Sequence, residues 1–425
     1  MKEKIRKVIS LAQTKTAKNT YLVFIGNSLA GLIGMFLMII LSRSLGPEEF
    51  GVFSVSFAFL SLLGKFGDLG LNFGMVKDIS QSRVRERKGK TAKIFQTVFF
   101  AKAIICLAIV FLGVFLAKNL SVKFFNSVLS TAAIRWLSVL FPLFVFYDLV
   151  RVYFEANKRF LESSLMYISA NLIKLVAVVA LLVFWSQFKN FILIYLLSPF
   201  AAGWLFFPRT KLRLKLKFYQ QEFKNLLGFS SWMAVSVVAA AVGENLNVLM
   251  TSSMLSAYQA GIYSAAEKFI LPFYVFAGAL GTVLISRASE FLEVSHIKRF
   301  IKKVAVLQLI FLGLVMVIFP LTPFLPLVLG REYLPSVKIL QILIIASYFR
   351  LAITPLNSVF YPLNKSIIFA IDALLQAALL FVLNQQFLPR LAAKGAAWSL
   401  LIVDLTIFVL NYLFLFFVLR QRQRR

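Results

Sequence analysis

The feature that most constrains the fold of this chain is a series of apolar runs, each roughly 20 residues long. A run of that length crosses about 30 Å of hydrocarbon as an α-helix. The runs are continuous and do not alternate with polar residues, which argues against a membrane-spanning β-barrel. Of the 425 residues 60% are apolar and 15% are charged, whereas a soluble domain has about 45–50% and about 25%. The sequence therefore predicts an all-α polytopic membrane protein.

Twelve membrane spans are predicted, joined by short polar segments. They lie at 21–42, 50–70, 94–117, 131–151, 163–185, 190–208, 229–252, 259–285, 303–324, 336–358, 367–387 and 396–419. The predicted domains are a basic segment at 1–20, a six-helix lobe at 21–208, a basic connector at 209–228, a second six-helix lobe at 229–419 and a basic tail at 420–425.

Lysine and arginine are unevenly distributed between the two sides of this topology. With the N-terminus in the cytoplasm, 32 of the 46 basic residues fall in cytoplasmic segments and 8 in external ones. Because basic residues in short loops stay on the inner side, both termini are predicted to be cytoplasmic. The net charge of +29 then reflects orientation and attraction to anionic inner-leaflet lipids, and it requires no nucleic acid.

A short turn sequence occurs twice. Residues 45–54 read LGPEEFGVFS and residues 255–264 read LSAYQAGIYS, with Leu, Gly and Ser at equivalent positions. The separation corresponds to six spans, an even number, so both copies enter the membrane from the same side. This predicts parallel repeats, with a substrate cavity between the two lobes near the midplane and a rocking movement of one lobe against the other.

Six basic residues lie within predicted spans and belong to neither the cytoplasmic nor the external set, namely Lys65, Lys102, Arg135, Lys174, Lys268 and Arg350. A base at a helix centre costs about 2.5–3.5 kcal/mol on insertion, so these residues must pair, reach an interface or face a wet cavity. Lys174, Lys268 and Arg350 lie deepest, and for them a cavity is predicted. The other three lie closer to span ends, where snorkelling is an equal alternative. The hypothesis is a cavity of positive potential that receives an anionic substrate.

Acidic residues inside the spans are available to neutralise some of these bases. They are Asp148, Glu244, Glu267, Asp372 and Asp404. Asp68 lies one turn from Lys65, so an ion pair between them is an alternative to a ligand role. Glu267 and Lys268 are adjacent and so project to different sides of a helix, which argues against a mutual pair. Glu244, Glu267, Asp68 and Asp372 are the candidates for coupling transport to H+ or Na+.

Several kinds of site are excluded by composition and spacing. Cys106 is the only cysteine and His296 the only histidine, so an intrachain disulfide, a thiolate metal cluster and a Ser-His-Asp triad are not expected. The sequence GKT at 89–91 lacks the first glycine of a phosphate-binding loop, since position 84 is valine. No cofactor, metal or catalytic residue is predicted. The energy for transport would then come from an ion gradient, the substrate gradient or the membrane potential.

Residues 41–80, LSRSLGPEEFGVFSVSFAFLSLLGKFGDLGLNFGMVKDIS, resemble the first two spans of the Wzx-like polysaccharide flippases. These belong to the multidrug/oligosaccharidyl-lipid/polysaccharide exporter superfamily. The resemblance rests on Arg43, Leu45, Gly46, Pro47, Phe50 and Gly51, and on the D-L-G-L motif at 68–71. Lys77 stands where an arginine is usual. Residues 244–269 and 329–349 are more loosely similar to later family segments, and only Glu244 is acidic where the family has an aspartate near Asn245 or Asn247.

This resemblance implies a flippase in a prokaryotic cytoplasmic membrane. Its substrate would be a polyprenyl-pyrophosphate-linked oligosaccharide, moved from the inner to the outer leaflet by alternating access for surface polysaccharide biosynthesis. The implied partners are this glycan lipid, anionic membrane lipids, H+ or Na+, and polysaccharide-assembly proteins. A cationic cavity between two six-helix lobes suits the diphosphate of such a substrate.

Two other functions are alternatives. One is an ion-coupled small-molecule antiporter of the multidrug type on the same fold, but its cationic drugs would favour a cavity rich in acids. The other is a membrane glycosyltransferase or polymerase, which the duplication and the lack of a large acidic polar loop disfavour. A transfer assay with a labelled nucleotide sugar would separate the enzyme from the two transporters.

Overall fold

The chain folds into helices throughout the residues that the computed structural model describes. These residues are 15–84, 89–126, 128–184, 188–212, 215–274, 277, 294–360 and 367–423. Within these ranges no β-strand occurs. The predicted all-α fold of a multi-pass membrane protein is confirmed. The predicted basic N-terminal segment falls mostly outside these ranges, as do the last two residues of the basic tail.

Twelve helices in the described ranges are longer than ten residues. They are α1 (Lys15–Asp68), α2 (Leu71–Val84), α3 (Lys90–Phe115), α4 (Thr131–Ala156), α5 (Phe160–Phe184), α6 (Phe188–Phe206), α7 (Gln220–Met254), α8 (Ala257–Lys268), α9 (Val294–Ile318), α10 (Ser336–Ser358), α11 (Ile367–Leu391) and α12 (Ala393–Gln423). Shorter helical segments lie at Ala117–Asn119, Leu120–Phe124, Phe207–Thr210, Phe319–Phe324, Leu325–Leu329 and Arg331–Tyr333.

Helix α1 is interrupted where the sequence predicts the turn between the first two spans. Gly46 has φ 68° and ψ 173°, which is not a helical conformation. Glycine adopts a positive φ without a steric penalty, and the following Pro47 has no N–H to donate to the preceding turn and disfavours a helical conformation at the residue before it. The predicted turn is confirmed at these two residues.

The number of membrane spans is only partly covered by the described residues. Ten helices there are long and apolar enough to cross a membrane. One of them, Ile25–Asp68, is 44 residues long, which at 1.5 Å per residue is about twice the thickness of the hydrocarbon core. It contains the first two predicted spans on either side of Gly46. The predicted eighth span begins in α8 and continues beyond the described residues, so twelve spans stay a prediction.

The chain divides into two compact units, which do not follow a single cut in the sequence. Unit 1 comprises Met1–Leu37, Leu63–Ala117 and Ala132–Ala234, and unit 2 comprises Met38–Leu62, Lys118–Thr131 and Val235–Arg425. The second part of the first predicted span and the start of the next therefore pack within unit 2. The two-lobe division at the connector stays a prediction.

The core of unit 1 includes part of the predicted connector. Leu226 is fully buried in a cluster with residues of α2, α3 and α4, against which Phe223 also packs. Glu222 forms an ion pair with Lys90, with an N–O distance of 3.2 Å. Helix α7 already begins at Gln220, so the end of the connector is helical and is anchored to unit 1.

In unit 2 an apolar cluster joins α9, α10 and α12. Its fully or almost fully buried members include Val304, Leu356, Phe360 and Leu415. A side-chain hydrogen bond also joins two of these helices, since Tyr412 of α12 donates to Gln308 of α9 at 2.6 Å. These contacts hold α10 and α12 side by side, which places the deep base of α10 next to an acid of α12.

Candidate functional site

The D-L-G-L motif positions an acid and an amide around a buried lysine in unit 1. The backbone turns between α1 and α2, where Leu69 and Gly70 both have positive φ. Beyond this turn Asn72 donates its backbone N–H to Asp68 at 3.0 Å. Lys102 of α3 lies 2.9 Å from the Asp68 carboxylate and donates a second hydrogen bond to the Asn72 side chain at 2.9 Å.

The same network continues from Asn72 to three charged residues of α4. The Asn72 amide donates to Asp148 at 2.5 Å. Arg151 pairs with Asp148 at 3.3 Å and with Glu155 at 2.6 Å. An asparagine amide and an arginine do not release protons at physiological pH, so this chain of contacts cannot relay a proton. The network instead holds α1, α2, α3 and α4 together.

Sequence reasoning missed Asn72, Arg151 and Glu155 as members of this network. The ion pair with Lys65, which the sequence offered as an alternative for Asp68, does not form: Asp68 pairs with Lys102, and Lys65 is exposed. A spacing of one turn does not reveal a partner on another helix. A signal was present, since an asparagine directly follows D-L-G-L.

Arg350 of α10 is the charged centre of unit 2. Its guanidinium lies 2.8 Å from the carboxylate of Asp404 on α12 and donates to the Gln376 side chain on α11 at 3.3 Å. It also lies over the ring of Tyr274, 5.9 Å from the ring centre. Asp404 is completely buried, whereas Arg350 is partly exposed. The pair therefore anchors the arginine from one side, and the guanidinium keeps N–H groups that neither Asp404 nor Gln376 uses.

Lys174 of α5 is the deep base of unit 1 that is held without a carboxylate. Its side chain is buried, and its ammonium group lies 4.1 Å from the ring centre of Tyr195 on α6. Within the described ranges no acidic side chain forms an ion pair with it. A cation over an aromatic face gains part of the stabilisation that an acid would give, but the ring does not neutralise its charge. Lys174 is therefore suited to meet an anion.

Lys268 forms a contact that the sequence argued against. Its ammonium group lies 3.4 Å from the carboxylate of the neighbouring Glu267, so the expectation that the two do not pair is wrong. Lys268 is the last residue of α8, and the chain turns immediately after it. At a helix end two long, flexible side chains can bend towards each other, which the geometry of a helix interior does not allow.

Two of the remaining predicted acids, Glu244 and Asp372, interact electrostatically with Arg350. Arg135 of α4 is exposed, as is Glu244 of α7. Asp372 of α11 accepts a hydrogen bond from Asn411 at 2.8 Å, and Asn411 also donates to Asn357 at 3.1 Å. In the described part of the chain no group of three potential ligands could hold a metal ion. Roles of these residues in substrate binding or ion coupling stay predictions.

Comparison with known proteins gives consistent matches in sequence. A family model described as a polysaccharide biosynthesis protein matches residues 40–338. A provisionally named O-antigen transporter of Shigella flexneri is 25% identical over 419 residues, covering 91% of this chain and 94% of its own. Lipopolysaccharide biosynthesis protein WzxC of Escherichia coli strain K12 is 24% identical over 335 residues, covering 77% of this chain and 65% of its own.

Solved structures show the same fold at much lower identity. An inward-facing multidrug resistance transporter of the MATE family, in the MOP superfamily, matches with a TM-score of 0.75 at 13% identity, over 93% of this chain and 96% of its own. The lipid II flippase MurJ, in an inward closed conformation, matches with a TM-score of 0.74 at 17% identity, over 93% of this chain and 87% of its own. Identities this low establish a shared fold and nothing about substrate.

Proposed function

Since this chain belongs to the polysaccharide biosynthesis protein family, we propose that it is a flippase for a lipid-linked oligosaccharide. The observation that carries this proposal is the match to the O-antigen transporter of Shigella flexneri, which extends over nearly the whole of both chains. The substrate in this proposal is a glycan on polyprenyl pyrophosphate. It moves from the inner to the outer leaflet of a prokaryotic cytoplasmic membrane by alternating access, without covalent change.

The chemistry of the deep bases supports an anionic substrate. Arg350 presents part of a guanidinium fork, which matches the oxygens of a phosphate group in geometry and charge. Lys174 carries a charge that no acid of the described residues neutralises. A diphosphate is the part of a lipid-linked oligosaccharide that these two groups would recognise, while the polyprenyl chain stays in lipid.

The multidrug antiporter is disfavoured by how the acids are used. A cationic drug needs a carboxylate that is not already neutralised by the protein. Asp68 pairs with Lys102, and Asp404 pairs with Arg350. These two acids are therefore poor ligands for a cation. Similarity to the MATE transporter at 13% identity concerns the fold and adds no weight to this alternative.

In this proposal, transport is coupled to an ion gradient. Coupling to H+ or Na+ would involve Asp372 or Glu244, which are outside the two buried ion pairs of Lys102 and Arg350. Both termini lie in the cytoplasm, where the basic segments contact anionic lipids. Polysaccharide-assembly proteins would supply the substrate and receive it.

Reconstitution into liposomes tests the proposal. Liposomes would contain the purified protein and a polyprenyl-pyrophosphate oligosaccharide placed on one side, and an external glycosidase would report how much glycan crosses. We expect transfer with the native protein and a fall of about tenfold or more for Arg350→Gln, which removes the guanidinium from the proposed diphosphate contact. Lys338→Gln, at the start of α10, is the matched control and should transfer normally.

The same liposomes give the result that would overturn the proposal. If the glycan lipid stays on its own side while a fluorescent amphipathic cation is transported, the protein is a drug antiporter. Repeating the assay with an imposed pH or Na+ gradient identifies the coupling ion. Asp372→Asn should then abolish the response to that gradient without abolishing downhill transfer.

A further inference from the structure

The repeated turn sequence brings two glycines into direct backbone contact. A Cβ atom built on Gly51 would overlap the carbonyl group of Ala257, and one built on Gly261 would overlap the carbonyl group of Pro47. Both segments belong to unit 2. Because real Cβ atoms never come this close to a backbone, each position is restricted to glycine while the contact exists.

The contact is reciprocal in a way that the duplication explains. Gly51 and Gly261 are equivalent positions of the repeated sequence, and so are Pro47 and Ala257. The glycine of each copy touches the residue four positions before the glycine of the other copy, which is Ala257 for Gly51 and Pro47 for Gly261. Exchanging the two copies therefore reproduces the contact. Self-complementary contacts of this type lie on a two-fold axis. The contact therefore joins the two repeats at their equivalent points.

The stretch Tyr333–Ser336, which leads into α10, reinforces this contact. The Tyr333 hydroxyl donates a buried hydrogen bond to the carbonyl oxygen of Ser42 at 2.8 Å, and its ring packs edge-on against Phe50 at 6.4 Å. Ser336 donates to the carbonyl oxygen of Ile262 at 2.9 Å. Both repeated turns are thus held by the same short stretch of the chain.

Two other equivalent residues lie beside the contact with unsatisfied hydroxyl groups. The side-chain oxygens of Ser54 and Ser264 are buried, and neither has a hydrogen-bond partner among the described residues. A buried hydroxyl without a partner is unfavourable, and exposure to water removes that penalty. The packed arrangement therefore lacks two hydrogen bonds that water could supply if the segments separated.

We propose that the contact between Pro47–Gly51 and Ala257–Gly261 is a closure that opens and re-forms during transport. Gly51 and Gly261 are then positioning residues, because they act by letting two backbones touch and bind no substrate. A backbone contact without interlocking side chains can separate and re-form without rotamer changes. The proposal rests on the proposed function, since repeats that rock against each other must part at one end in one of their states.

Thiol labelling in nanodiscs tests this closure without any substrate. In a Cys106→Ser background, which removes the only native cysteine, Ser54→Cys places a reporter beside the contact. Adding Gly51→Ala should raise the rate of reaction with a water-soluble maleimide by about tenfold or more, because the methyl group shifts the equilibrium towards the separated state. Gly313→Ala is the matched control, since a Cβ there meets nothing within 4 Å, and its labelling should be unchanged.

A second, milder variant keeps the test decisive if Gly51→Ala does not fold. Tyr333→Phe removes one hydrogen bond and adds no bulk, and it should raise labelling about two- to fivefold. Unchanged labelling in folded, monodisperse variants would overturn the closure. Transport is measured separately with the glycan lipid. Raised labelling in the variants, with no glycan transfer by the native protein, supports the closure and counts against the flippase, whereas transfer by the native protein with unchanged labelling does the reverse.

Discussion

Each compact unit contains an ion pair with a buried carboxylate, and the two pairs differ in how exposed their basic side chains are. In unit 1 the side chains of Lys102 and Asp68 are 2% and 7% exposed. In unit 2 Asp404 is 0% exposed, but Arg350 is 30% exposed. The N–O distances are nearly the same, 2.9 Å and 2.8 Å. Distance alone therefore does not separate these two pairs, whereas exposure does.

This difference assigns different roles to two bases that look alike in the sequence. A sealed pair with an additional amide partner occupies two of the three N–H donors of the lysine and balances its charge with a buried carboxylate. A pair with one open side fixes the arginine and leaves donors for a further anion. The comparison predicts that Lys102 stabilises the fold, whereas Arg350 takes part in transport.

The largest effect on folding is expected for Lys102→Ala. The substitution leaves Asp68 buried without its counter-ion, and losing one partner of a buried pair costs about 3–5 kcal/mol. Thermal unfolding of the purified protein in detergent measures this loss. Lys65→Ala, the exposed base of the same region, is the control and should unfold at the native temperature. If Lys102→Ala unfolds at the native temperature, the pair of Lys102 and Asp68 does not stabilise the fold, and the contrast with Arg350 fails.

A double substitution sharpens the comparison for Arg350. Arg350→Met alone leaves Asp404 unpaired and should destabilise the protein by about 3 kcal/mol. Adding Asp404→Leu replaces the whole pair by apolar side chains and should restore most of that stability, as hydrophobic replacements of buried pairs often do. Glycan transfer should stay at least about tenfold reduced in both variants, since neither has a guanidinium for the diphosphate.

The double variant also has a result that contradicts this assignment. If restored stability brings back normal glycan transfer, Arg350 is a structural residue like Lys102, and the difference in exposure has no functional meaning. Circular dichroism and size-exclusion chromatography of the same preparations would confirm that the variants being compared are folded.

Lys174 extends the comparison to a base that forms no ion pair with any acid of the described residues. Lys174→Met removes a cation–π contact worth about 0.5–2 kcal/mol but also ends the cost of burying a charge, so little net change in stability is expected. Glycan transfer should fall about fivefold or more if the ammonium group binds the diphosphate. Tyr195→Leu, which removes the ring and keeps the charge, separates the two effects. Normal transfer by Lys174→Met would exclude the residue from the substrate path.

Local chemistry made part of the fold predictable. The apolar runs predicted the helices, and the turn sequence with Gly46 and Pro47 predicted the break in α1, because each feature depends only on neighbouring residues. The partner of Arg350 was predictable only as one of several acids. Choosing Asp404 requires knowing that α10 and α12 lie side by side.

The candidate site was less predictable than the fold for the same physical reason. Spacing along the helix offered Lys65 as the partner of Asp68, whereas Asp68 pairs with Lys102 of another helix, next to a turn with two positive φ angles. The repeated turn was visible as a sequence, but its glycine contact depends on two segments far apart in the chain. Sequence patterns thus located the charged and repeated residues, and tertiary packing decided their partners.

The smallest effect is expected for Lys268, and it tests the sequence prediction most directly. The sequence placed Lys268 in a substrate cavity, whereas its ammonium group lies 3.4 Å from Glu267 at the end of α8. This contact is longer than those of Lys102 and Arg350 and joins two flexible side chains at a helix end, so we expect it to be worth about 0–1 kcal/mol. We expect Lys268→Gln and Glu267→Gln to change the unfolding temperature equally little. Glycan transfer should stay within about twofold of native, because a local pair this weak holds no substrate. A fall as deep as that of Arg350→Gln, seen for Lys268→Gln but not for Glu267→Gln, would instead return this lysine to the substrate path.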